Sequence, residues 1–325
     1  MKLFRRRHVA GLLAALPVML AAPVVQAQAQ DYPNRPVKII VAYPPGQSTD
    51  IATRYFANKL SQAMGQSFIV ENKAGASGNI GTAVAAQAKP DGYTLIMGAS
   101  GTHAMNPALF SHPGFDAAKD FDAIIMTALI PFAISVGPDV PVNNLQELIA
   151  LARSKPGKVD TAIPSVTGQL VLEMLKARNV PLFGVKFKGS GDAMTNVLGG
   201  QLPVLLDTVA ATRTQLGKIK PLAITTIEPM DSMPGIKTAA EQGLDNFTVA
   251  AWNALMAPKG VPAEIQAKLY AEMKKILALP ETKKAMHNLG FAPAPQRTPA
   301  QLEAWLTTER ADYARIIKSA GMKID

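Results

Sequence analysis

Short apolar runs alternate along this chain with longer stretches in which apolar positions recur at helical spacing. The first unit sets the pattern. Val37, Ile39, Ile40 and Val41 form a β-branched run that predicts a buried strand, stopped by Pro44, Pro45 and Gly46. Ser48, Thr49 or Asp50 then caps a helix with apolar positions at Ile51, Tyr55, Phe56, Leu60 and Met64, and Gly65 ends it. A strand over 67–70, a glycine-rich segment over 75–81, an alanine-rich helix to Lys89 and a strand over 93–97 follow. The apolar run 124–136 contains Pro131, which predicts two strands or one bent strand. Asn143 or Asn144 caps a helix through Arg153, which Lys155, Pro156 and Gly157 terminate. Strands are predicted at 159–163, 182–187, 204–207 and 221–225, each before a helical stretch. This order argues for an α/β fold with parallel sheets and ligand sites at the carboxyl ends of strands.

The C-terminal part changes character, with helices predicted at 263–279, 281–289 and 299–320. The last has a strong start signal in Thr298, Pro299 and Gln301. Leu302, Trp305, Leu306, Tyr313, Ile316 and Ile317 are expected on one face of it, packed on the first sheet. Trp252 reads as core or interdomain packing, and Met230, Met233 and Met256 as filler. No repeat, low-complexity tract or flexible linker interrupts the chain, which suits two lobes crossed by strands better than two domains in tandem.

Composition bears on location more than on chemistry. Lys2, Arg5, Arg6 and Arg7 precede an apolar stretch broken by Gly11, Pro17 and Pro23, with small-residue cleavage sites near Ala27 and Ala29. Residues 1–29 therefore read as an export signal, and the arginine run leaves a twin-arginine route open. The formal charge falls from +9 to +5 when those four basic residues leave. With no cysteine, the mature chain has neither a disulfide nor a lipid anchor, so its core alone must hold it in an oxidising compartment. The expectation is a soluble periplasmic protein. The remaining basic residues are scattered, which argues against nucleic acid as a partner.

Enzyme motifs are missing. His103, His112 and His287 show no metal-ligand spacing, and the serines at 77 and 100 miss the G-x-S-x-G elbow. No Walker A or dinucleotide fingerprint occurs. No catalytic residue, metal or cofactor is expected. His103 remains open between a pocket residue and one that holds its own loop. The 44–50 loop is open between a plain connecting turn and an anion site, where N–H groups and hydroxyls at a helix start receive a carboxylate.

A chain-wide set of motifs narrows these alternatives. Tyr32-Pro-Asn-Arg-Pro-Val37, the Pro44 to Asp50 loop and Val70-Glu-Asn-Lys-Ala-Gly-Ala-Ser-Gly-Asn-Ile-Gly81 come first. Lys89-Pro-Asp-Gly-Tyr-Thr-Leu95, Gly101-Thr-His103, Lys155-Pro-Gly-Lys158, Leu198-Gly-Gly-Gln201 and Gly260-Val-Pro262 follow in order. Together they resemble the tripartite tricarboxylate transporter solute receptors, also called the Bug or TctC family. The resemblance implies a two-lobed, type II-like periplasmic binding protein of the flytrap kind. Each lobe would be a mainly parallel sheet flanked by helices, with strands crossing between lobes. Lobe 1 would hold 31–131 and 250–325, and lobe 2 would hold 132–249. The implied ligand positions in lobe 1 are Tyr43, Gln47, Ser48, Thr49 and Asp50 in the first loop and Ser100, Thr102 and His103 in the second. Lobe 2 would add Ser165, Thr167 and Gly168, the Lys188-Gly189 turn, and Asp207.

The implied partners are a small organic carboxylate (a di- or tricarboxylate, an aromatic acid or an acidic amino acid) and membrane permease subunits, with the receptor a monomer. Gln47 departs from the family's usual glycine, and the loop from Ile163 to Leu170 is poorer in glycine and serine than in relatives. Two rival functions stay in view. One is a periplasmic hydrolase using His103, and the other is a carboxylate receptor serving a sensor kinase.

Overall fold

The first strand ends where its apolar run does. In the computed structural model, which describes residues 32–322, β1 covers Val37–Val41, and α1 covers Ser48–Met64. The export signal read at 1–29 lies outside the described residues. Gly65 closes α1 in the left-handed conformation (φ 69°), which a Cβ would resist. At the other end the expected cap is displaced by one residue. Gln47 is the N-cap and makes no side-chain cap bond, while Ser48, Thr49 and Asp50 are the first helical residues. Their side chains are drawn to partners outside the helix start, as described below.

The next elements are β2 (Phe68–Asn72), α2 (Asn79–Ala86) and β3 (Thr94–Ala99), then a π-helical segment over Gly101–Met105 and the short α3 (Asn106–Leu109). β4 runs unbroken from Phe121 to Val136, so the apolar run around Pro131 is one strand. Pro131 pairs in register with Ala250, and the strand's register shifts fall elsewhere, between Ala123 and Ile125, Met126 and Ala128, and Ile134 and Ser135. After it come α4 (Leu145–Ser154), β5 (Asp160–Ile163), α5 (Val166–Lys176), β6 (Phe183–Lys186), α6 (Ser190–Leu198), β7 (Val204–Thr208), α7 (Val209–Arg213) and β8 (Lys220–Ile224). Asn144 caps α4 by accepting from the Glu147 N–H. No helix follows β8, where one was expected. Pro229, Pro234, Gly235 and Gly243 break the segment, which is held by turns instead. β9 (Ala250–Pro258), a strand the pattern reading missed, then returns through the middle of the sheet.

The strands lie in the order β2, β1, β3, β9, β4, β7, β5, β6, with β8 also paired to β4. The β1–β2, β1–β3, β5–β6 and β5–β7 pairs are parallel, whereas β9, β4 and β8 pair antiparallel. The expected parallel pairing is found at the two flanks, and antiparallel strands fill the middle. Antiparallel neighbours need no helical crossover, which is why the segment before β9 can be irregular. β4 pairs with β9 up to Pro131 and with β7 from Phe132, so it serves two sheet regions in turn. This is a two-lobed α/β architecture.

The helices α8 (Ala263–Ala278), α9 (Pro280–Asn288) and α10 (Pro299–Ser319) finish the chain. Thr298 and Gln301 form a full capping box at the start of α10. Leu302, Leu306, Tyr313 and Ile317 of α10 are buried with Ile40, Ile96, Met105 and Trp252 in one core cluster. Ile316 is 37% exposed and does not share that face, since it lies one step of the helix away from Ile317. Trp252 packs edge-on against Trp305 at 5.6 Å and donates its indole N–H to Glu309 at 3.2 Å. Among the described residues, no helix is long and apolar enough to cross a membrane.

Candidate ligand-binding site

The loops after β1, β3, β5, β6 and β7 converge on two adjoining cavities. The smaller, of about 50 Å³, is lined by Tyr43, Gln47, Ser48 and Thr49 from the start of α1 and by Ala99, Ser100 and Gly101 after β3. Across it stand Ser165, Val166 and Thr167 at the start of α5, Ser190 at the start of α6, and Asp207 and Thr208 at the end of β7. The crossing strands supply an apolar side through Ile130, Phe132 and Ala251. The larger cavity, of about 540 Å³, shares Tyr43, Ser165 and Val166 with the first. Its walls are mostly apolar, including Pro44, Ile163, Pro164 and Phe187, with Gln169, Lys186 and Lys188 as polar members.

Helix starts dominate the small cavity. The first-turn N–H groups of α1, α5 and α6 have no acceptors inside their own helices. Their combined dipoles favour negative charge, by up to ~2 kcal/mol per helix end when partly buried. The two sides of the cavity also touch directly. Ser48 Oγ lies 2.5 Å from Thr208 Oγ1, and Gln47 Nε2 donates to the Pro164 carbonyl at 3.4 Å. Gly189 packs close to the same loop, where a Cβ would stand 3.2 Å from Pro44 Cγ.

Two polar groups in the small cavity lack partners among the described residues. Ser100 Oγ and Asp207 Oδ2 are both buried with no hydrogen-bond partner. Asp207 Oδ1 accepts the Thr208 N–H at 2.7 Å. Burial pushes the Asp207 carboxyl up to about 6; the Thr208 N–H and the Ser190 and Thr208 hydroxyls oppose that rise, but no group bonds Oδ2. Tyr43 is pushed up to about 12 by burial, against the lowering effect of hydrogen bonds with Thr102, so its phenol stays neutral. A neutral donor, a free hydroxyl and three helix starts can hold an oxyanion without a metal or a cationic side chain. Among the described residues, no cluster of three or more His, Cys, Asp or Glu is placed to hold a metal ion.

The expected site residues divide by position. Tyr43, Gln47, Ser48, Thr49, Ser100, Ser165, Thr167 and Asp207 line the small cavity, and Lys188 lines the large one. Asp50 does not line either cavity. Its carboxylate accepts the Gly46 N–H at 2.9 Å, Arg54 Nε at 3.0 Å and Asn72 Nδ2 at 2.9 Å, and so ties the loop to β2. Burial works to raise its pKa, but the bonds from Arg54, Gly46 and Asn72 outweigh it and hold the group below the usual carboxylate range.

Thr102 and His103 sit behind the loop. Thr102 Oγ1 lies 2.8 Å from His103 Nδ1, and the imidazole packs edge-on to Phe121 at 4.8 Å. Burial first, with Arg310 nearby, drives the His103 pKa down to about 3, which keeps the ring neutral. Gly98 lets that ring lie against β3, since a Cβ would be 3.1 Å from it. Gly168 and Gly189 line neither cavity. The Gly168 N–H bonds the capping Ser165 Oγ at 3.0 Å, and a Cβ there would meet the Leu206 carbonyl at 3.0 Å.

Sequence reasoning missed Ser190 and Thr208. Both stand at helix starts straight after predicted strands, the same signal that pointed to Ser48. It also missed Ile130, Phe132 and Ala251, which carry no local sign of facing a cavity.

A family model described as the tripartite tricarboxylate transporter family receptor matches residues 52–322. The chain belongs to that receptor family. The receptor is 30% identical over 321 residues to the protein BugT of Bordetella pertussis, covering 96% of this chain and 98% of BugT. It is also similar to the solved structure of R. palustris Rpa4515 with adipate, with a TM-score of 0.86 and 31% identity over 90% of this chain and 99% of that one. MatC from Rhodopseudomonas palustris, solved with bound malate, gives a TM-score of 0.80 and 29% identity, covering 88% of this chain and all of MatC (100%). The matched family is one of transporter receptors and not of enzymes, which takes His103 out of consideration as a hydrolase group.

Proposed function

We propose that this receptor captures a small organic carboxylate between its two lobes in the periplasm and delivers it to membrane permease subunits. One observation carries the reading. Ser100 Oγ and the first turns of α1, α5 and α6 line a cavity whose walls hold no Lys, Arg or His. Such a site suits an anion held by hydrogen bonds, each worth ~1.5–3 kcal/mol when the acceptor is charged. The adipate and malate bound in the two similar structures support the same ligand type. The change of partner along β4 at Pro131–Phe132, and the start of β9 at Ala250, support lobes of 31–131 with 250–325, and 132–249. On this reading the small cavity grips the carboxylate and the large one takes the ligand's body. Each methylene buried there would add about 0.8 kcal/mol.

A thermal-shift screen with succinate, adipate, citrate, malate, benzoate and aspartate tests the proposal. At a hundredfold excess over the dissociation constant, a bound acid stabilises by about 2.7 kcal/mol. A rise of about 5 °C or more with at least one acid is expected for a domain of this size. A flat response to the whole panel would contradict it.

A further inference from the structure

Asp207 is the anomaly in an anion site. It is 1% exposed, its Oδ2 has no partner, and it lines the small cavity together with the unpartnered Ser100 hydroxyl. Tyr43 is the only other titratable group in that lining, and no cationic side chain is present to neutralise the carboxyl. A bare carboxylate ligand would satisfy Ser100 and the helix starts but leave Oδ2 facing a second negative charge. A buried acceptor with no partner costs more than the same atom bonded, so the complement of this wall is a donor. Among the described residues none supplies one to Oδ2, and the ligand is what remains.

We propose that Asp207 is a specificity-determining residue that accepts a hydrogen bond from a hydroxyl or ammonium carried by the ligand close to its bound carboxylate. This rests on the carboxylate-receptor reading and narrows it to hydroxy or amino acids. Ser100 and Asp207 line the same small cavity, which places the donor close to the carboxylate. Ionised Asp207 suits both donors. Its Oδ1 stays bound to the Thr208 N–H and fixes the direction in which Oδ2 faces. The geometry distinguishes substituted acids from their parents in the way a site built to bond a polar group rejects analogues lacking it.

Calorimetric titration with two matched series tests this: succinate, malate and aspartate, and adipate, 2-hydroxyadipate and 2-aminoadipate. In at least one series a substituted acid is expected to bind tenfold or more tighter than its parent. Asp207→Asn preserves the acceptor for the Thr208 N–H and so keeps the fold, which circular dichroism checks. In that variant an amino acid's advantage is expected to shrink at least tenfold, and a hydroxy acid's by less. Parents that bind as tightly as their substituted forms, with ratios unchanged in Asp207→Asn, would overturn the proposal and leave the receptor reading intact. Parent binding that strengthens in the wild type as pH falls from 8 to 5, but not in Asp207→Asn, would also overturn it, since the two carboxyls would then be sharing a proton. Failure of all six acids to bind the wild type would count against the receptor reading itself.

Discussion

At the scale of single residues, Asp207 and Asp50 show how context assigns opposite tasks to one side chain. Asp50 is surrounded by donors from Gly46, Arg54 and Asn72, and its charge is spent on holding a loop. Asp207 has the Thr208 N–H and the nearby Ser190 and Thr208 hydroxyls, none of which bonds Oδ2, and it faces a cavity. The physical consequence is measurable without any ligand. A carboxyl raised from 3.8 to about 6 in the folded state binds a proton more readily there than in the unfolded chain. Its favourable contribution is therefore complete below pH ~4 and is lost as pH rises through ~6. The shift corresponds to about 3 kcal/mol. Asp207→Asn is expected to raise the melting temperature of the unliganded receptor at pH 8 and to leave it near the wild-type value at pH 4. Equal melting temperatures at both pH values would show that Asp207 is not strained by burial. Both aspartates were visible in the sequence as site candidates, but nothing local separated them. The bonds from Arg54 and Asn72 arise from one helical turn and from a neighbouring strand, and only the latter needs the fold.

Elements decide where those residues point. The start of α1 was legible because Pro44, Pro45 and Gly46 end one run and Ile51 begins another. The choice of cap was not, because Ser48 bonds Thr208, 160 positions away, and a local rule has no access to that partner. β9 was missed for a related reason. Its pairing with β3 and β4 is antiparallel and wholly non-local, and it interrupts an alternation that otherwise reads as strand and helix. The capping box of α10 is contained in four residues and was read in full. The segment after β3 illustrates the close tolerances of the site. A Cβ on Gly101 would stand 2.6 Å from the Tyr43 hydroxyl and 3.1 Å from Val166 Cγ2, so glycine is required there to let the opposing loops meet. Gly101→Ala is expected to cost about 1–3 kcal/mol of stability and to weaken acid binding by displacing Tyr43 and Val166, which wall both cavities. Unfolding and binding curves that superimpose on the wild type would show that this contact gives way freely.

Across the whole molecule, the shared sheet is what brings distant loops to one place. β4 and β9 carry the chain through the centre, and the parallel flanks aim the carboxyl ends of β1, β3, β5, β6 and β7 at a common cleft. Sequence pattern foretold the alternating elements and the loops that matter. It did not foretell the apolar wall from Ile130, Phe132 and Ala251, because residues on a buried strand look alike whether they face a core or a cavity. The Ser48–Thr208 and Gln47–Pro164 contacts join the loop after β1 to the loops after β5 and β7 across the cleft. The central claim is that an organic carboxylate binds at the small cavity. Calorimetric titration of the acid that gives the largest thermal shift, into the wild type and Ser100→Ala, tests it most directly. The account predicts one site per chain, a dissociation constant near or below ~1 μM, and a loss of about ten- to a hundredfold in Ser100→Ala, equivalent to one charge-assisted hydrogen bond. Binding that is undiminished in Ser100→Ala would contradict it.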